Sequence, residues 1–172
     1  GFSDEKNVST LEQLYLEVRC DRKYATLVQL LRKNQDKKII VFLSIKLAVE
    51  YVSYMLDGYG MTNIALHGNM SQEKRTSTFQ EFMNMKDPGI LVATDVAARG
   101  LEFPNVDLII QVDIPEQIAN YFHRVGRTAR GGKSGVALLM LTETEAEVCL
   151  PTFNNYFAGL EEEENGEAPT PL

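Results

Sequence analysis

Residues 123–130 read HRVGRTAR, and Arg124, Arg127 and Arg130 recur there at every third position. A guanidinium is permanently charged and presents a rigid fork of donors that matches two oxygens of a phosphate or carboxylate. Such groups crowded together repel one another unless an anion is supplied, so a phosphate ligand is one reading. The other is a solvated basic helix end, because cations favour helix C-termini. Gly126 allows the chain to leave a helix there, which places Arg127 and Arg130 in a loop.

Two further clusters carry chemistry at useful spacing. In LHGNMSQEKR, 66–75, Gly68 permits a tight turn and Ser71 can cap a helix. Free N–H groups at that helix start, with Arg75 one turn in, could hold a phosphate; an ordinary helix start also accounts for them. In ATDVAARGLE, 93–102, Thr94 and Asp95 stand where a strand should end. Asp95 either caps the next helical turn or does chemistry, and Gly100 marks a close backbone approach or a positive φ. GGKS, 131–134, is not a phosphate-binding P-loop, because the position that must be the first Gly is Arg127. GYG, 58–60, lacks a third Gly and reads as a helix stop.

Elements that would position these clusters alternate along the chain. Residues 11–18 alternate apolar and polar like a half-buried strand. Asp21 is expected to cap a helix with Tyr24, Leu27, Leu30 and Leu31 on its apolar face. The runs 38–43, 63–67, 89–94, 106–112 and 135–141 read as buried strands. Helices are expected over 45–57, from Ser71 to about Asn84, from Pro115 to near Gly126, and from the capping box TETE at 142–145 to about Tyr156. Strands alternating with helices imply right-handed crossovers and a mainly parallel sheet covered on both faces, an α/β three-layer sandwich. Ligands bind such sheets at the carboxyl ends of the strands, where all three clusters fall.

Length and composition set the remaining bounds. The 172 residues suit one domain, and a hydrophobic content of 44% is ordinary for a folded core. The net charge of −7 is concentrated in EEEENGEAPTPL, 161–172. Taking its five Glu from the 24 acidic residues leaves 19 against 17 basic ones, a balance of −2. A nucleic-acid partner is therefore compatible with the charge. The expected organisation is a flexible leader over 1–10, a domain over 11–158 and an acidic disordered tail over 159–172. Cys20 and Cys149 lack metal-ligand spacing and read as buried reduced thiols of an intracellular protein. No apolar run is long enough to span a membrane.

With these residues assembled, the chain resembles the C-terminal RecA-like helicase lobe of DEAD-box ATP-dependent RNA helicases, from about Leu11 to Phe157. IIVFLSIK resembles motif IV, LHGNMSQEKR the His-Gly loop and Gln-x-x-Arg motif, ILVATDVAARGLEFPNVDLIIQVDIP motif V with its following strand, and HRVGRTAR motif VI. The resemblance implies ATP with Mg²⁺ in a cleft between two lobes, the ion held mainly by the other lobe, and RNA lying across both. Neither a P-loop nor an Asp-Glu-Ala-Asp string occurs in this chain. By motif position, Arg127 and Arg130 resemble arginines that reach the γ-phosphate. Gly68, Gln72, Arg75 and Thr94 resemble contacts to the RNA sugar-phosphate backbone. His123 and Arg124 resemble residues that meet the first lobe; Asp95 and Arg99 resemble supports around motif V, with Asp95 also near the lobe boundary. Gly100 and Glu102 resemble cofactor contacts, although the family usually has Asp where Glu102 stands. Its carboxylate is one methylene further out.

The partners implied are RNA, the missing N-terminal lobe and regulatory proteins, with the lobe itself monomeric and no membrane association. Many family members act in ribosome assembly, which the resemblance carries only as analogy. Nucleus, nucleolus and cytoplasm are not distinguished. Alternatives are another superfamily-2 motor lobe, a docking module without enzymatic activity, and a Rossmann or flavodoxin-like protein. The last would need a glycine-rich loop after the first strand, where CDRKYAT stands.

Overall fold

Short apolar runs become strands because they bury their side chains, the central runs Ile39–Phe42 and Leu108–Gln111 on both faces, and amphipathic segments between them become the covering helices. The computed structural model describes residues 11–85, 88–101, 106–128, 134–161 and 169–172. The chain runs β1 (Leu11–Glu17), α1 (Lys23–Lys33), β2 (Ile39–Phe42), α2 (Lys46–Gly58), β3 (Asn63–Leu66) and α3 (Gln72–Asn84). It continues through β4 (Ile90–Ala93), the four-residue α4 (Asp95–Ala98), β5 (Leu108–Gln111), α5 (Ile118–Val125), β6 (Gly135–Leu141), α6 (Glu143–Glu161) and β7 (Thr170–Pro171). The strands form one sheet in the order β3-β4-β2-β5-β6-β1-β7, and every pairing among them is parallel. The fold is the expected α/β three-layer sandwich.

Side-chain alternation along the strands builds the two interfaces. Ile39, Val41 and Leu43 pack on one side with Leu27, Leu31, Val49, Val52 and Leu56, from α1 and α2. Ile40 and Phe42 pack on the other with Phe79, Phe82, Tyr121, Val125 and Phe153, from α3, α5 and α6. Burying each large apolar side chain fully contributes about 1.5–3 kcal/mol relative to leaving it exposed. Tyr121 also ties α5 to β1, its hydroxyl donating to Gln13 Oε1 at 2.6 Å, and burial pushes its phenol pKa well up.

Local signals fix several element ends as expected. Ser71 Oγ accepts from Lys74 N–H at 3.2 Å and opens α3. Thr142 and Glu145 form a reciprocal capping box at 3.2 and 3.0 Å and open α6. Glu145 Oε1 also accepts from Lys23 Nζ at 3.0 Å. Burial pushes the Glu145 carboxyl up, but the Thr142 N–H and Lys23 outweigh it and hold the pKa below its ordinary value.

Other expectations are corrected. Asp21 caps no helix; it lies in a 3-10 turn, Cys20–Arg22, where its carboxylate accepts from Arg19 at 2.8 Å. α5 starts at Ile118 rather than Pro115. Cys20 is exposed, and Cys149 packs against the core but is only half-buried, so neither is a fully buried thiol. The expected disordered tail is ordered at two places, because α6 continues to Glu161 and Thr170–Pro171 pair with β1. Backbone pairing, which composition does not report, supplies that order. The expected leader, 1–10, lies outside the described residues, as do Glu102, Arg130 and 162–168. No helix among the described residues is long and apolar enough to cross a membrane.

Candidate functional site

The three sequence clusters meet at α4, just beyond the carboxyl end of β4. Thr94 starts this turn by accepting from Ala97 N–H at 3.3 Å, so Thr94 and not Asp95 is the cap. After Ala98 the chain bends at Gly100, whose φ is +76°. Nothing lies within 4 Å of where a Cβ would stand, so the left-handed backbone, not close approach, calls for glycine there.

Asp95 faces α5. Arg124 Nε and Nη2 donate to Asp95 Oδ1 and Oδ2, each at 2.6 Å, a bidentate pair. Arg124 Nη1 donates to Asp113 O at 2.7 Å and to Gln111 Oε1 at 3.3 Å. The guanidinium carbon stands 5.2 Å from the centre of the Phe42 ring. Arg124 is 1% exposed and is the largest fully buried side chain among the described residues. This corrects the expectation that Arg124 meets another lobe: its charge is neutralised within this one. It joins the ends of β4, β5 and α5, because a buried guanidinium without such partners would carry a prohibitive desolvation cost.

Arg127 approaches the same turn from the other side. Its Nη1 donates to Leu101 O and its Nη2 to Ala98 O at 3.3 Å. Gly126, just before it, has φ −65° and ψ −1°, so left-handed backbone is not the reason for this glycine. A Cβ here would stand 3.0 Å from Phe122 O. The close approach of that carbonyl favours glycine, and the chain leaves α5 at this point as expected. His123 and Arg99 are exposed beside Arg127. A cavity of about 20 Å³ lies among Asp95, Arg99, Asn120, His123, Arg124 and Arg127. That space holds about one water and no larger ligand.

The His-Gly loop docks on the outside of α4. A methyl at Gly68 would stand 3.3 Å from Val96 Cγ1, so the loop lies close against α4. Arg75 Nη1 reaches within 3.5 Å of Val96 O, and Nη2 donates to Gln72 Oε1. Arg75 Nε is buried without a hydrogen-bond partner among the described residues. His67, at the end of β3, stands with Nε2 3.5 Å from Glu50 Oε1 of α2, and Lys46 Nζ stands 3.7 Å from the same oxygen. Gly68, Gln72 and Arg75 are thus brought together. Thr94, expected beside them, is 5% exposed and acts from below by capping α4. Glu102 and Arg130 fall outside the described residues.

Sequence reading missed several members of the site. Gln111 is a polar residue that ends the apolar strand LIIQ and is 0% exposed, a signal that a charged partner sits nearby. Asp113 and Asn120 gave no local signal. Val96, not singled out in the sequence, is the residue that both the Gly68 turn and Arg75 touch.

A family described as the helicase conserved C-terminal domain matches residues 22–132. A probable ATP-dependent RNA helicase, ddx18, of Dictyostelium discoideum is 50% identical over 149 residues, covering 84% of this chain and 25% of that protein. The chain thus spans a quarter of that curated relative's length. The Escherichia coli DEAD-box protein SrmB, bound to regulator of ribonuclease activity A, superposes with a TM-score of 0.78 at 31% identity, covering 94% of this chain and 90% of that one. Domain 2 of the Mss116p DEAD-box helicase, bound to an RNA duplex, superposes with a TM-score of 0.70 at 29% identity, covering 95% and 64%.

Proposed function

We propose that this chain, which belongs to the helicase conserved C-terminal domain family and is the carboxy-terminal lobe of a DEAD-box protein, works as one wall of an ATP-dependent RNA helicase. The observation that carries the reading is the convergence of the His-Gly loop, α4 and the Arg127 turn on a single rim. An N-terminal lobe facing that rim would complete the site.

ATP, when bound between the lobes, supplies the γ-phosphoryl group whose transfer to water drives the cycle. This chain's contribution is positive charge held in place. Arg127, steered by the Ala98 and Leu101 carbonyls, would face the γ-phosphate together with Arg130, and a fixed guanidinium there stabilises charge that develops in phosphoryl transfer. Gly100 and Glu102 would border the nucleotide. Mg²⁺ would be held mainly by the facing lobe. His123 and Arg99, both exposed, would meet that lobe.

RNA would lie along the Gly68 turn, Gln72 and Arg75, held through its sugar-phosphate backbone. Arg75, half-buried beside Val96 and Gln72, would supply the positive charge there. Such contacts carry little sequence information. Closure of the two lobes would assemble the ATP site and bend one strand, separating a short duplex or remodelling an RNA–protein complex. Regulatory proteins and an intracellular compartment belong to the same proposal.

In the full-length protein, Arg127→Ala is expected to lower RNA-stimulated ATP turnover by about 10³, the scale of an arginine finger. Arg127→Lys should not restore it, because lysine lacks the fork. A loss of less than about threefold in both variants would overturn the assignment. The isolated lobe is expected to turn over no ATP.

A further inference from the structure

The outer edge of β1 is covered by residues that the rim does not use. Leu14 pairs with Thr170 and Tyr15 with Pro171 in parallel register. Leu172 N–H donates to Tyr15 O at 2.8 Å. In a parallel ladder, residues whose N–H and C=O meet the neighbour alternate with residues whose groups point away. The Leu172 bond settles the phase. Thr170 and Leu172 direct their amides at β1, whereas positions 169 and 171 turn theirs outward. Both outward positions are proline. The far side of this strand therefore has no N–H to offer a further strand. Two contacts reinforce the placement: Thr170 Oγ1 lies 3.4 Å from Gln13 O, and Pro169 is buried.

β1 is an edge that needs such cover. It has seven residues, LEQLYLE, four of them apolar, and pairs on its inner side with β6 over its whole length. A strand of that length with one side unpaired is a template for another chain. The simplest such contact between identical molecules is a two-fold one, in which two β1 edges run antiparallel.

We propose that residues 169–172 are a one-sided capping strand. The strand covers the middle of the outer edge of β1, at Gln13 and Tyr15, and denies it to a second copy of this lobe, while its two prolines keep the cap itself from becoming a new edge.

Three variants of the chain test this. One ends at residue 168 and lacks the strand. Thr170→Pro keeps the strand but removes the N–H that the register aims at Gln13 O. Pro169→Thr with Pro171→Thr leaves the inner contacts and restores outward N–H groups. Exchange of the Tyr15 amide, whose ladder partner is Thr170 O, reads the contact; sedimentation velocity at rising concentration reads self-association. Circular dichroism and thermal melting verify that each lobe is folded.

The shortened chain and Thr170→Pro are expected to exchange the Tyr15 amide about tenfold faster, the scale of one lost hydrogen bond. The shortened chain should also dimerise with concentration while the parent stays monomeric. The double threonine variant should keep slow Tyr15 exchange yet self-associate through its new outer edge. Unchanged Tyr15 exchange after shortening overturns the pairing. Faster exchange in a chain that stays monomeric at every concentration overturns the capping role. Should the shortened chain fail to fold, the two substitution variants decide by the same readings.

Discussion

Asp95→Asn isolates the contact that holds the rim together. The substitution keeps the shape of the side chain and removes its charge, leaving the Arg124 guanidinium, 1% exposed, without a counter-ion. Removing one partner of a fully buried pair costs about 3–5 kcal/mol. Three features pull this case to the low end. The Asp95 side chain is 20% exposed, Arg124 retains Asp113 O at 2.7 Å and Gln111 Oε1 at 3.3 Å, and the Phe42 ring stays beneath it. The expected cost is therefore about 3 kcal/mol. For a lobe of this size that lowers the melting temperature by about 6–12 °C. Arg124→Met removes the charge from the other side. The double variant Asp95→Asn with Arg124→Met should cost less than the two singles added, because it leaves no unpaired buried charge. Urea unfolding of all four proteins, with equal m-values, gives the coupling directly. A cost below about 1 kcal/mol for Asp95→Asn, or strict additivity in the cycle, would mean that the buried pair is not what joins α4 to α5.

Two other outcomes follow from single side chains. Glu145 has a lowered folded pKa, so its contribution is present above its ordinary value of 4.5 and is lost as pH falls through the folded value. Glu145→Gln should accordingly lower stability at pH 7 yet flatten its fall on acidification, read as urea midpoints from neutral pH down to about pH 3.5; a parallel fall in both proteins would refute the linkage. In the full-length protein, Arg75→Ala should weaken binding of unrelated single-stranded RNA sequences equally and reduce the salt slope by about 1, and a sequence-selective loss would count against a backbone contact.

Local chemistry made much of the lobe readable before any coordinates. Four-residue apolar runs such as Ile39–Phe42 can only be strands buried on both faces, and their alternation with amphipathic segments dictates a parallel three-layer architecture. Ser71 and the Thr142/Glu145 box announced their helices because a cap depends on atoms three residues apart. The gathering of Gly68 and Thr94 near one rim followed from each lying just past a strand, and that of Arg127 from the helix exit at Gly126 that places it in a loop. Which way each side chain turned did not follow. Arg124 read as a cation facing another lobe, and nothing in HRVGRTAR announces that its guanidinium turns into the core.

The sequence by itself therefore determined the elements, their order and the rim at which the polar clusters stand, since those depend on spacing and on groups a few bonds away. Only the tertiary structure decided that Arg124 turns inward to Asp95, 29 residues distant, that Val96 is the surface on which Gly68 docks, and that Thr170–Pro171 lie along β1. Each of those depends on which strands are neighbours. β4 and β5 flank β2, so the residues after them come within reach of α5, and a buried charge settles on whichever acceptors that adjacency supplies.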